Sequence, residues 1–175
     1  MFEKWRRAVV EPRIFGRVLD VGCGRNKVQE AVGIDLSTYS QPDVASRLDS
    51  LAVLSASFEC VCLIAVLNYV PNETRSQVVQ ECQRVLTKYG RLVITCTTPI
   101  GGFVHRLFRW KQPRGMSMKV IRTLVEENGF RLVYDRPFML WLNHLYVFGK
   151  ETQKVESYVP IQQVIKKEMH EGHTD

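Results

Sequence analysis

The chain has 175 residues, 45% of them hydrophobic, and 24 lysines and arginines against 18 aspartates and glutamates, a net charge of +6. That length suits one domain with a substantial core and is short for two. The amino-terminal stretch MFEKWRRAVVEPRIF has no signal-peptide core, and the apolar run from Val61 to Leu67 is far below bilayer length, so a cytoplasmic protein is expected rather than a secreted or membrane-spanning one.

In chain order, the first strand candidate is GRVLDVG (16–22), which runs into a glycine-rich turn. About eight residues, Arg25 to Val32, separate that turn from the second strand, AVGIDL (31–36), which leaves room for a turn or so of helix. DVASRL (43–48) and FECVCLIAVL (58–67) follow. The spacing of Val78, Val79, Cys82, Val85, Leu86 and Tyr89 predicts a helix over 72–89, with Asn72 as its cap and Gly90 as its stop. A fifth strand, GRLVITCTT (90–98), leads to a segment, IGGFVHRLFRWKQPRGM (100–116), and then to a helix that begins at Ser117. That helix uses Val120, Ile121, Leu124 and Val125 as its stripe and stops at Gly129. FRLVYDRPF (130–138) and LWLNHLYVFG (140–149) form a hairpin.

Seven near-continuous apolar strands joined by helices predict an α/β fold: a single doubly wound, mostly parallel seven-stranded sheet with an antiparallel edge strand, covered by helices on both faces. This domain spans 1–150. Ile161, Val164, Ile165 and Met169 repeat at helical spacing after Pro160, so 151–175 is expected to be a tail with a short docked helix. The five cysteines form no CxxC pair, Cys60 and Cys62 share one strand face, and no metal site is expected.

The glycine turn is the chemically informative element. A dinucleotide fingerprint needs glycine at three positions, and the frame set by Gly22 and Gly24 puts Lys27 at the third. Asp20 beside the glycines repels a pyrophosphate and favours a ligand with positive charge, such as S-adenosylmethionine, which carries an ammonium and a sulfonium and no phosphate. Asp35 closes the second strand, where a carboxylate can accept from ribose hydroxyls. Asp49, just past the third strand, can accept from an adenine amino group, with the amides of Ser50 and Leu51 at the ring edge. Together the three acids are expected to form one wall.

VLDVGCG, GIDLS, LDSL, SFECVCLIAVLNYV and ECQRVLTKYGRLVITCTTP, in that order over about residues 16 to 99, resemble the successive motifs of class I S-adenosylmethionine-dependent methyltransferases. The resemblance implies a Rossmann-like sheet with a final antiparallel strand and the cofactor over the carboxyl ends of the first strands. It also implies that Asp20 and the turn lie near the methionine portion, with Asp35 on the ribose. The cofactor-binding candidates are Asp20, Gly22, Cys23, Gly24, Asp35, Leu36, Asp49, Ser50, Leu51 and Ala65. Glu59 stands where the family often has an aspartate, and Tyr69 where it often has a histidine.

Methyl transfer from a sulfonium is governed by positioning, and a general base is optional. For a hydroxyl acceptor, Tyr69, His105 or His144 could assist proton removal, and Tyr69 and His105 are the catalytic candidates. The Asn-Pro-Pro-aromatic motif and a Pro-Cys nucleophile are absent, so no DNA acceptor is expected. Residues 100–122 hold six basic side chains and no acid, which equals the whole charge excess. This local field suits a lid over a small-molecule or lipid-like acceptor, an RNA, an anionic membrane surface, or a solvated face. An enzyme acting on a small or lipid-like acceptor is the leading expectation; a non-catalytic binding module of the same fold and an RNA methyltransferase are the alternatives.

Overall fold

A computed structural model describes residues 8–107 and 115–150; the tail at 151–175 and part of the 100–116 segment lie outside the described residues. Seven strands form one sheet: β1 (Val18–Val21), β2 (Val32–Asp35), β3 (Val44–Ala45), β4 (Phe58–Ile64), β5 (Leu86–Thr97), β6 (Phe130–Phe138) and β7 (Asn143–Lys150). Their order is β3-β2-β1-β4-β5-β7-β6. The first five are parallel, and β7 runs antiparallel to both β5 and β6, so the hairpin closes one edge of the sheet. The order steps outward from β1 in both directions, towards β2 on one side and β4 on the other, and leaves a crevice at the carboxyl ends of these strands.

The period-2 alternation of the strands sorts the core into two layers. Leu19, Val21, Val61, Leu63, Leu92, Ile94, Tyr146 and Phe148 face one side. Val18, Cys60, Cys62, Val93, Leu145 and Val147 face the other, which puts Cys60 and Cys62 on one face as expected. The first side is covered by α1 (Arg75–Val85), through Val78, Val79, Cys82 and Val85, and by α3 (Met118–Glu126), through Ile121 and Val125. The other side is covered by Val10, from the helical residues 8–10, and by Ile14, Val28, Ala31, Phe138 and Met139, from connecting segments and strand ends. The β1–β2 connection, residues 22–31, contains turns only, and Val28 and Ala31 do the packing that a crossover helix does elsewhere.

Two boundaries differ from the sequence pattern. The helix predicted over 72–89 is α1 alone, because the amides of Ala56 and Ser57 donate to the carbonyls of Arg84 and Val85 and end the helical ladder there. Leu86 then turns extended, pairs with Phe58 and is fully buried, while Tyr89 stands in solvent rather than on the buried stripe. Asn72 does not cap α1: it lies in a short 3-10 turn, Asn72–Thr74, that precedes it. In α3 the predicted start holds, with Ser117 Oγ accepting from the Val120 amide at 3.3 Å. Val120 itself is exposed, leaving Ile121, Leu124 and Val125 as the packed stripe. A further helix, α2 (Pro99–Leu107), follows β5 directly.

Candidate functional site

A cleft of about 410 Å³ opens at the carboxyl ends of β1 and β2, and among its described lining are Gly22, Asp35, Leu36, Asp49 and Tyr69, all singled out by sequence. Arg47, Val66, Val70, Thr74 and Val78 complete much of its wall and were not anticipated. The volume lies within the usual range for small-ligand sites, and the mixture of aliphatic wall and a few charged groups is typical of them.

Gly22 is required twice over. Its φ is +72°, and a Cβ there would lie 2.7 Å from Val66 Cγ2, so the turn can sit down on the β4 loop only without a side chain. At Gly24, φ is +54° but a Cβ would meet nothing within 4 Å, so only backbone conformation demands glycine. The amides of Gly22 and Cys23 donate to the Ile34 carbonyl at 2.7 and 3.1 Å, which fastens the turn to the end of β2. Cys23 is buried beneath the turn, and its thiol is pushed up to about 11 by burial first, then by Asp20 and Asp35.

Asp35 organises the rim. Its Oδ2 accepts from the Gly24 amide at 2.9 Å and its Oδ1 from the Ser37 amide at 2.8 Å. Each carboxylate oxygen retains a further lone pair for a ligand hydroxyl. Asp49 pairs in fork geometry with Arg47, Nε to Oδ1 at 2.9 Å and the terminal nitrogen to Oδ2 at 2.6 Å, and this pairing holds its carboxyl below the usual carboxylate range.

The expected wall of three acids is therefore a wall of two, one of them already paired with a cation. Asp20 is 1% exposed and turned into its own loop, where Oδ2 accepts from the Val28 amide at 2.8 Å. It shapes the cleft by bracing the turn and does not line it. Nor do Cys23, Gly24, Ser50, Leu51 and Ala65. The Leu51 amide, expected at the ring edge, instead donates to Glu81 Oε2 at 2.7 Å. Arg84 bridges Glu81 and the carbonyls of Leu51 and Val53, tying the Asp49 turn to α1. Ala65 has a φ of +59° and donates to Thr95, making the bend after β4 that brings Val66 under Gly22. Arg47 carried no sequence signal beyond its place two residues before Asp49.

Other polar groups fall elsewhere. Glu59 holds the Arg17 backbone and guanidinium at the amino end of the sheet, away from the cleft. Asn68 Oδ1 accepts from the Thr97 amide at 3.1 Å and is buried, a packing role. His144 Nε2 lies 2.8 Å from Asp135 Oδ2 and its ring stacks on Tyr146, outside the cleft lining. His105 belongs to α2, and its side chain lies outside the described set.

Residues 19–94 match the family model for a methyltransferase domain. No curated protein matches the sequence. Among solved structures, an S-adenosylmethionine-dependent methyltransferase of Methanosarcina mazei superposes with a TM-score of 0.69 at 16% identity, covering 83% of this chain and 98% of that one. One from Mesorhizobium loti gives 0.64 at 15% identity, over 84% of this chain and 96% of that one. The 1,6-didemethyltoxoflavin-N1-methyltransferase of Burkholderia thailandensis, solved with its substrate and S-adenosylhomocysteine, gives 0.64 at 16% identity, over 84% and 77%. Likeness at these identities establishes the fold, the Rossmann-like sheet of class I methyltransferases. Together with the domain match it is consistent with that class and supports S-adenosylmethionine as the cofactor.

Proposed function

We propose that this chain, which carries the methyltransferase domain over residues 19–94 on the class I fold, is an S-adenosylmethionine-dependent methyltransferase acting on a small-molecule or lipid-like acceptor. The observation that carries the reading is the convergence of Gly22, Asp35 and Asp49 on one aliphatic-walled cleft. The residues present suit the cofactor: Asp35 for the ribose hydroxyls, Asp49 for the adenine amino group, and Leu36, Val70 and Val78 for the faces of the adenine.

Bound there, S-adenosylmethionine would supply an activated methyl group on a sulfonium, with a neutral thioether as the leaving group. The chain's contribution is position. Asp35 fixes the ribose edge, the Gly22 turn lets the ligand approach the backbone, and Tyr69, 61% exposed at the cleft wall, stands where it can orient an acceptor or take its proton. Arg47 holds Asp49 in one rotamer and offsets part of the cleft's negative charge.

Titration calorimetry with S-adenosylmethionine and S-adenosylhomocysteine, followed by labelled-methyl transfer into a fractionated cell extract, tests this. Cofactor binding with label appearing in a small or lipid fraction is expected; no binding of either nucleoside at millimolar concentration overturns it. The missing helix between β1 and β2 favours one second reading, a binding module that keeps the fold without turnover, for which binding without any transferred label is the signature.

A further inference from the structure

We propose that the protein docks on anionic lipid bilayers through α2 and the adjoining turn between β6 and β7. The idea goes beyond methyl transfer and stands whether or not the cleft holds its cofactor.

The chain leaves the sheet at Thr98 and rejoins it at Met116, whose amide donates to the Thr97 carbonyl at 2.8 Å. Among the described residues, the hydrogen bonds that anchor α2 to the sheet fall on its first turn. The Thr98 amide donates to the Leu142 carbonyl at 3.0 Å, and Gly101, the one buried residue among those described in α2, packs directly on that carbonyl, where any side chain would clash. Along the same helix Ile100, Phe103 and Leu107 form a stripe at i, i+3 and i+7. Leu140 and Trp141 lie beside the same first turn, since Thr98 Oγ1 donates to the Trp141 carbonyl at 2.7 Å. All five side chains are 60–85% exposed. Leu140 and Trp141 have φ of +54° and +63°, a backbone conformation that bulky residues rarely adopt, and both stand in solvent.

An apolar stripe this exposed calls for an occupant, and charge selects which one. Residues 100–122 contain six basic side chains and no acid, and Arg106 and Lys119 are exposed among those described. An apolar, aromatic-bearing helix stripe with Arg106 beside it, in a stretch of sequence that is basic and free of acids, suits the headgroup layer of an anionic bilayer. Ile100, Leu107 and Leu140 give no platform for a base to stack on, which disfavours single-stranded RNA. No helix among the described residues is long and apolar enough to cross a membrane. Because α2 sits at the carboxyl end of β5, docking here sets the cleft end of the sheet against the lipid.

The test is co-sedimentation of the full chain with vesicles of phosphatidylcholine alone and of equal parts phosphatidylcholine and phosphatidylglycerol, at low and high salt. Retention on the anionic vesicles, reduced by salt, is expected, and it falls about tenfold in Phe103→Ser/Leu107→Ser. Trp141→Asn, which keeps a residue tolerant of the left-handed backbone, weakens retention too and decides the matter should the helix variant misfold. Leu54→Ser, which removes an 80% exposed apolar side chain ahead of β4 at the far end of the sheet, leaves retention unchanged. The proposal is overturned by no retention at low salt, by equal retention on both vesicles, or by retention indifferent to the α2 and Trp141 substitutions. Two other results overturn it: a dimer in sedimentation that the same substitutions dissolve, which assigns the stripe to a second copy, and binding of single-stranded RNA that they abolish.

Discussion

Asp35 gives an oxygen each to the amides of Gly24 and Ser37, so the same carboxylate that offers lone pairs to a ligand also holds the glycine turn against the end of β2. Asp35→Ala therefore removes a ligand contact and its scaffold together, and calorimetry should show affinity for S-adenosylhomocysteine falling by at least about tenfold. Gly22→Ala meets both a left-handed backbone and Val66; a loss of about 1–3 kcal/mol in urea unfolding is expected, with the cleft distorted. Tyr69→Phe separates two roles of an exposed phenol. If it handles the acceptor's proton, kcat falls while cofactor affinity holds, and if it only lines the wall neither changes. Asp35, Asp49 and Gly22 were legible in sequence as cleft residues because strand ends and turn glycines leave local marks. Arg47 was not, since its role depends on a side-chain fork with Asp49 that no periodicity records. The burial of Asp20 was hidden for the same reason: only the folded loop shows its oxygen taken up by the Val28 amide.

Among elements, α1 does more than cover the sheet. Its Glu81 and Arg84 reach across to hold Leu51 and Val53, and through them the turn that presents Asp49. Glu81→Ala leaves the Leu51 amide without its acceptor and should cost about 1–3 kcal/mol in urea unfolding. It should also weaken cofactor binding without touching the cleft, whereas Glu81→Gln restores part of both. Hydrophobic spacing placed all seven strands and the cores of α1 and α3, because burial on a pleat or a helix face imposes its period on the chain. It misjudged the end of α1, where the apolar pattern runs on through Leu86 but the carbonyls of Arg84 and Val85 are satisfied by a distant loop. It also predicted helices on both faces: α1 and α3 share one, and the other is covered by Val10 of the helical residues 8–10 together with turns and strand-end residues.

At the scale of the molecule, several carboxylates are held below their ordinary range. The cause is Arg17 for Glu59, the Gly33 amide and then Lys27 for Asp43, Arg47 for Asp49 and Arg84 for Glu81. A carboxylate depressed by folding adds stability above its unfolded value, and that stability is lost as pH falls through the folded value. The urea midpoint should thus hold steady above about pH 5 and drop below about pH 4, with Glu59→Gln shallowing the slope. Meanwhile β7 is bonded on both sides, to β5 and to β6, although it is the last strand of the sheet in chain order. A ribosome moving from the amino terminus therefore delivers β5 long before its neighbour. Until residues 143–150 emerge, the nascent chain carries an open, apolar seam down its middle, and this domain's exposure to chaperones and to mispairing is concentrated in the interval before β7 is made.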